Sequence, residues 1–562
     1  MKRAWWKEAV VYQVYPRSFK DGNGDGIGDL KGLMEKLGYI SSLGIDVIWL
    51  CPIYKSPNAD NGYDISDYYD IMDEFGSMEE FDRLLESVHK RGMKLIMDLV
   101  VNHTSDEHPW FIESGKSRDN AYRDYYFWKD GTDGREPNNW VSAFSGSTWK
   151  YDGQTGQYYF HIYAEKQPDL NWENKKVRED VYRMMNWWLT KGIDGFRMDV
   201  INCLSKNPEF PEDTLPLGEQ RRTGSRYYLN GPKIHSYLRE MNRETVSKYD
   251  VMTVGEGVQI TSDMAGFYVN EDRQELNMVF YFDHMDMHRT PGNRLLKRPW
   301  KLSALKGIFW DWHCALKEKG WNSIYLGNHD QPRAVSRFGD DGEYRAESAK
   351  MLAMLLLTWP ATPYIYQGEE IGMTNVAFPA IGDYRDIETL NYYREKTGQG
   401  EDPGEIMGRI HASSRDNART PMQWDGTENA GFTVGDPWIG VNGNYREINV
   451  KRALEDENSI YHFYRRLIRF RKQSETLVYG DCELLCPEDE AIFAYLRTSE
   501  TERLLVVLNF YGKPADFAVP DHISLEGAGF VLCNYETRPE TDRLVRLRPY
   551  EAFICRLASP RQ

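Results

Sequence analysis

Five apolar runs in this chain end in a carboxylate. KLIMDLVVNH carries Asp98, GIDGFRMDV carries Asp199, VMTVGE carries Glu256, SIYLGNHD carries Asp330 and PYIYQGEE carries Glu369. Each run follows a helix-like stretch, so the acids come from distant parts of the sequence to one end of a set of parallel strands. In a closed β/α barrel those ends share a pocket, and active sites are built there. Several acids in one pocket suit cleavage of a glycosidic bond, which needs a proton donor and a nucleophile or base.

The elements that must carry these acids alternate along the chain. VVYQVYP reads as a strand, LKGLMEKLGYISSLG as a helix ending at Gly44, and DVIWLCP as a second strand. Residues 78–92 place Phe81, Leu84, Leu85 and Val88 on one helical face, and KLIMDLV follows as a buried strand. The rhythm breaks over 105–174, where Gly, Asn, Ser, Asp and aromatics dominate with β-like pieces such as GQYYFHIYA. That is too long for a plain loop and reads as an inserted subdomain. It resumes at KKVREDVYRMMNWWLTKG and continues through ESAKMLAMLLLTW and PYIYQGEE, while 375–450 reads as long loops over the barrel mouth. YHFYRRLIRFRKQ reads as the last barrel helix, and from about 480 the character is β.

The expected architecture is α/β: a (β/α)8 TIM barrel over 1–104 and 175–479, an inserted subdomain over 105–174 after the third strand, and a C-terminal antiparallel β domain over 480–562. No GxGxxG follows the first strand, so a dinucleotide-binding fold has no support.

The net charge of −17 disfavours nucleic acid, whose binding needs a concentrated basic surface. No window is apolar over about 18 residues, so no membrane span is expected. The start has no apolar leader core, and the seven cysteines include no CxxC pair. Free thiols in a reducing cytoplasm are the expectation. Aromatics at 14% suit sugar stacking and large cores alike.

Motif by motif, the chain resembles the α-amylase superfamily, glycoside hydrolase family thirteen, in its oligo-1,6-glucosidase and α-glucosidase branch. The resemblance rests on Asp98-Leu-Val-Val-Asn102-His103, Gly195-Phe-Arg197-Met-Asp199-Val200, Thr253-Val-Gly-Glu256, Asn328-His329-Asp330 and Gln167-Pro-Asp-Leu-Asn171, in order and over nearly the whole length. It implies that Asp199 is the nucleophile, kept ionised by Arg197, that Glu256 is the general acid and then base with a raised pKa, and that Asp330 stabilises the oxocarbenium-like transition state. The implied mechanism is retaining, with the main carboxyls about 5–5.5 Å apart. His103 and His329 would hydrogen-bond the reacting sugar. Asp60 and Tyr63 would clamp the terminal glucose, with Arg415 closing the pocket against Asp60 and making the enzyme exo-acting. Phe144 and Gln167 are expected to line the pocket. Asp98 reads equally as an anchor behind the nucleophile or as a catalytic group, and Glu369 as structural.

Asp21-Gly-Asn23-Gly-Asp25-Gly-Ile27-Gly-Asp29 alternates oxygen side chains with glycines, a spacing that can wrap a hard cation or form a self-capped turn. The resemblance implies structural Ca²⁺ or Mg²⁺ there, with Ile27 contributing its carbonyl, and no organic cofactor. Val200 after the nucleophile implies α-1,6 preference, whereas Gly257 after the acid is expected to widen the acceptor side.

The expected partner is a short oligosaccharide such as isomaltose or panose, acted on by a monomeric chain. Alternatives are an α-1,4- or sucrose-active α-glucosidase, a sucrose isomerase and a trehalose-6-phosphate hydrolase. The isomerases' arginine- and aspartate-rich loop is replaced here by DHMDMHRT at 283–290. The basic stretch of His288, Arg289, Arg294, Lys297, Arg298 and Lys301 could meet a phosphate or be a solvated loop. A non-catalytic transporter heavy chain is disfavoured, because all three acids are present.

Overall fold

The computed structural model describes residues 2–214, 222–290, 293–540 and 543–558. Eight parallel strands form the central sheet: β1 (Val11–Val14), β2 (Val47–Leu50), β3 (Lys94–Leu99), β4 (Gly195–Met198), β5 (Met252–Glu256), β6 (Met278–Phe280), β7 (Ser323–Tyr325) and β8 (Thr362–Tyr366). They run β6-β5-β4-β3-β2-β1-β8-β7. The ring closes where Ser323 Oγ donates to the Val279 carbonyl at 2.7 Å and Tyr325 OH to the Tyr281 carbonyl at 2.8 Å. Strands covered on both sides must be apolar throughout, and β1, β2, β4 and β8 are buried at every residue.

Register decides what meets at the barrel mouth. Asp98 on β3 lies opposite Arg197 on β4. Met198 lies opposite Gly255 on β5, so the next residues, Asp199 and Glu256, emerge side by side. This close strand packing requires a glycine at 195: its φ is 143°, and a Cβ there would lie 1.9 Å from the Met252 carbonyl oxygen.

The covering helices follow the amphipathic pattern. Met78–Lys90 buries Phe81, Leu84, Leu85 and Val88, and begins with a reciprocal cap between Ser77 and Glu80. Leu30–Leu43 ends at Gly44 with φ 100°. Arg345–Thr358 is buried on nearly every face because it lies between the barrel and the C-terminal strands. Its last carbonyl, on Thr358, receives the buried Arg497 guanidinium at 2.6 Å, which joins the two regions.

Residues 105–174 hold a three-stranded antiparallel sheet, Trp128–Lys129, Trp149–Asp152 and Gln157–Phe160. The C-terminal region forms a five-stranded antiparallel sheet of β9 (Asp481–Leu485), β10 (Ile492–Thr498), β11 (Arg503–Asn509), β12 (Gly529–Cys533) and β13 (Ala552–Arg556). Here β13 inserts between β11 and β12.

Two features depart from the sequence reading. The sixth unit, helix Ser262–Val269 followed by β6, went unrecognised because both pieces are short. The 375–450 region also contains helices Ile387–Gly398 and Pro403–Ser413. The second carried a legible signal, an Asp402 cap followed by Pro403 at the first turn. Among the described residues no helix is long and apolar enough to cross a membrane.

Candidate active site

A cavity of about 740 Å³ opens at the carboxyl ends of the strands. Asp199, Glu256, Asp330, Asp60, Tyr63, His103, Phe144, Gln167 and Arg415 line it. Arg197 and His329 do not; they lie just beneath its surface, each 1% exposed.

One guanidinium organises the floor. Arg197 Nη1 donates to Asp98 Oδ1 at 2.6 Å and to Asp199 Oδ1 at 2.8 Å, while Nη2 donates to Glu256 Oε2 at 2.6 Å. Asp98 is fully buried and also accepts from Trp49 Nε1 at 2.8 Å. It does not reach the cavity, so it is the anchor of the arginine. Three carboxylates around one buried cation cannot all be neutralised, and their titration spreads apart. Burial lifts Asp199 to about 6, with Arg197 opposing and Asp98 adding. Burial lifts Glu256 further, to about 8; Arg197 opposes, but the charges of Asp199 and Asp330 add to the rise. Glu256 Oε2 also accepts from the Val200 amide at 3.3 Å, and the Glu256 carboxyl shares a hydrogen bond with Asp199 that favours its protonated form.

That amide contact has a backbone cost. Val200 sits at φ 36°, ψ 41°, a left-handed conformation that a β-branched residue avoids. Such strain costs about 1–3 kcal/mol and persists where surrounding structure enforces it. Its side chain is buried against the cavity wall.

Asp330 behaves oppositely. Burial alone would raise it, but His329, Arg415 and Arg419 outweigh burial and hold it well below the usual carboxylate range. Arg419 Nη2 donates to Asp330 Oδ1 at 2.6 Å and Arg415 Nη1 lies 3.4 Å from the same oxygen. Burial pushes His329 down to about 3, so the imidazole is neutral and the arginines supply the charge.

The expected Arg415–Asp60 pairing is present at 3.3 Å. Arg415 is held more tightly by Asp386, at 2.5 Å from Nη2 and 2.9 Å from Nε. Asp386 was not foreseen, and neither was Arg419. The signal for Asp386 was its place as N-cap of the helix Ile387–Gly398, where it accepts from the Thr389 amide at 3.1 Å. Phe144 packs its ring 4.9 Å from the Arg415 guanidinium carbon. Gln167 Nε2 reaches Asp60 Oδ2 and the Tyr63 carbonyl, both at 3.3 Å. His103 Nε2 lies 3.0 Å from the same carbonyl.

The far wall carries Val258, Gln259, Phe282, Asp286, Arg289, Arg294, Arg298 and Glu388. Of the basic stretch, Arg289 donates to Asp286 at 2.8 Å and to Gln331 at 2.6 Å, and Arg294 lies 3.7 Å from Glu388. Gly257 does not widen this wall. A Cβ there would meet Ile260 Cδ1 at 2.7 Å and the Phe280 carbonyl at 3.1 Å, so position 257 faces the protein and Val258 and Gln259 face the cavity.

The loop at 21–29 turns its carboxylates on its own amides. Asp21 accepts from Asn23, Gly24 and Gly26, Asp25 from Ile27, and Asp29 from Gly22 and Gly32. Among the described residues no group of three or more His, Cys, Asp or Glu side chains is gathered for a metal ion. The donors are all oxygen, which suits a hard cation, but Asp21 Oδ1, Asp21 Oδ2 and Asp29 Oδ1 each already accept two hydrogen bonds, so the uncommitted carboxylate lone pairs are those of Asp25 and of Asp29 Oδ2.

Residues 13–480 match the family model for the α-amylase catalytic domain, and residues 482–554 match the maltogenic amylase C-terminal domain. The chain belongs to the α-amylase family. Within that family it is 60% identical over 562 residues to the oligo-1,6-glucosidase of Parageobacillus thermoglucosidasius, covering all of both chains. Among solved structures of the family, the trehalose-6-phosphate hydrolase of Bacillus licheniformis superposes with TM-score 0.93 at 50% identity, covering 99% of this chain and 100% of that one. The isomaltulose synthase of Protaminobacter rubrum superposes with TM-score 0.96 at 45% identity, covering all of both chains. The chain is thus a glycoside hydrolase whose barrel and C-terminal sheet are those of its family.

Proposed function

We propose that the chain is an exo-acting, retaining α-glucosidase that removes terminal glucose from short oligosaccharides, with α-1,6 links as in isomaltose and panose preferred. The observation that carries this reading is the pair of carboxyls bridged by Arg197, one titrating at about 6 and the other at about 8. At neutral pH the first is a carboxylate and the second an acid, the division of labour that the reaction needs.

In the first step Asp199 attacks the anomeric carbon through Oδ2, since Oδ1 is held by Arg197. The bond to the glycosidic oxygen breaks as Glu256 delivers its proton there, and a glucosyl ester forms on Asp199. In the second step Glu256, now ionised, takes a proton from water. The water oxygen attacks the anomeric carbon from the face the aglycone left, and glucose departs with its configuration retained. Asp330, ionised throughout, faces the positive charge that develops on the sugar ring. The Asp60–Arg415–Asp386 cluster supports exo action, because it fills one side of the cavity with side chains bound to one another.

The strained Val200 supports the α-1,6 preference, as does the 60% identity to an oligo-1,6-glucosidase. The pairing of Arg289 and Arg294 with Asp286 and Glu388 supports a neutral aglycone over a phosphorylated one. The test is a product time course on isomaltose, panose, maltose, sucrose and trehalose-6-phosphate. Fast glucose release from isomaltose and panose with slow maltose cleavage is expected. Preferential cleavage of the phosphosugar, or conversion of sucrose to an isomer, would overturn the substrate assignment.

We also propose that the loop of Asp21, Asn23, Asp25, Ile27 and Asp29 holds structural Ca²⁺ or Mg²⁺. Asp21 also accepts from Thr433 Oγ1 at 2.5 Å, so the loop ties two distant segments together. Strong chelation is expected to lower the melting temperature; an unchanged one would remove the cation from the account. The seven cysteines, all free, fit a cytoplasmic setting for a monomer acting on small sugars.

A further inference from the structure

His329 is buried between two tyrosine rings. Tyr63 stacks on it with centroids 5.3 Å apart and planes 8° apart, and Tyr15 stacks at 5.9 Å and 16°. The sandwich fixes the plane of the imidazole but not the position of its proton. Its Nδ1 lies 2.8 Å from Gln13 Nε2, on β1. Its Nε2 is buried, has no hydrogen-bond partner and lies 3.5 Å from Asp330 Oδ2.

The contact with Asp330 favours one tautomer, and the Gln13 amide holds it. Asp330 is held ionised by Arg415 and Arg419, so a bare Nε2 lone pair would face a carboxylate oxygen, which is repulsive. A proton on Nε2 makes that contact attractive. Nδ1 must then be the acceptor, and the Gln13 amide supplies the donor. The amide's other hydrogen has its own acceptor, Cys51 Sγ at 3.2 Å, whose thiol burial keeps protonated.

We propose that Gln13 is a positioning residue that fixes His329 as the Nε2–H tautomer and so presents a neutral N–H donor, beside Asp330, to a hydroxyl of the bound sugar. The second half rests on the glucosidase reading above; the first does not. At 3.5 Å the contact to Asp330 is too long for a good hydrogen bond, so the buried N–H, just beneath the cavity surface, has its donor capacity unspent. Partners on the remote nitrogen commonly decide which imidazole nitrogen carries the proton.

The direct test is long-range ¹H–¹⁵N correlation on the full chain labelled with ¹⁵N-histidine, with the His329 signals identified by their loss in His329→Gln. The Nε2–H pattern is expected, unchanged between pH 6 and 8. An Nδ1–H pattern in the unmutated protein would overturn the proposal whatever the enzyme hydrolyses. Gln13→Glu supplies an acceptor where a donor stood. It should move the proton to Nδ1 or make the ring doubly protonated, and should lower kcat on isomaltose by about tenfold or more. Gln13→Leu, similar in bulk but without a donor, should give mixed tautomers and a smaller loss. A Gln13→Glu protein that folds, by near-ultraviolet circular dichroism, and keeps the parent tautomer would sink the idea. The Nε2–H pattern in a chain inert towards isomaltose would uphold the tautomer assignment and count only against the proposed function.

Discussion

The floor and the rim of the cavity are built on different principles. Floor residues hang from the ends of β3, β4 and β5, where strand register places Asp98, Arg197, Asp199 and Glu256 side by side. Rim residues come from loops and short helices, and Arg415 reaches Asp60 across 355 positions of sequence. The floor's geometry is thus inherited from the barrel, whereas the rim's depends on an ionic mesh among Asp60, Asp386, Arg415 and Arg419, which borders the floor at Asp330 beyond β7. Rigid strands suit bond-making groups that tolerate little misplacement, and loops suit groups that decide which sugar enters.

If that contrast is right, damage to the floor should abolish chemistry while damage to the rim should weaken binding. The largest effect is expected from Asp199→Ala: kcat on an aryl α-glucoside should fall on the order of 10⁴-fold or more, as for loss of a covalent nucleophile. Unchanged hydrolysis by a folded variant would remove Asp199 from its role. Glu256→Gln should cost about 10²–10⁴-fold on isomaltose but spare the first step on activated aryl glucosides, whose leaving groups need no proton. Equal losses on both substrates would count against the acid assignment. At the rim, Asp386→Asn removes the closest partner of Arg415. KM should rise about 10- to 100-fold, the worth of a charge-assisted hydrogen bond, with kcat changing much less. A fall in kcat alone would dissolve the floor–rim distinction.

Smallest is the response to pH. Activity requires Asp199 ionised and Glu256 protonated, so kcat/KM should fall below about 6 and above about 8, roughly tenfold per unit beyond each limb. Asp386→Asn should leave both limbs in place, since neither group lies in the rim mesh.

The same contrast explains what could be read from the amino acids alone. Floor residues follow apolar strands within a few positions, so β propensity and a terminal acid mark them together. Rim pairs are joined only in space, and nothing near Arg415 points to Asp386, 29 positions earlier. The unrecognised β6 has three residues, as β7 does, but the helix before it has only eight residues against fifteen before β7, so its unit shows no clear period. Gly257 misled because linear adjacency to Glu256 says nothing about direction: on leaving the strand the chain turns that position towards Ile260. The left-handed backbone at Val200 was equally invisible, since a valine carries no signal for it.

Arg197 answers three carboxylates at once, and this limits how the lineage can change. Replacing it alone would leave buried anions without a counter-charge, at a cost of about 3–5 kcal/mol. Losing any one of its partners shifts the titration of the other two. Drift at these four positions therefore cannot proceed by single neutral steps. Descendants that keep the reaction should hold the quartet intact, and descendants that abandon it should be seen to shed its members as a group.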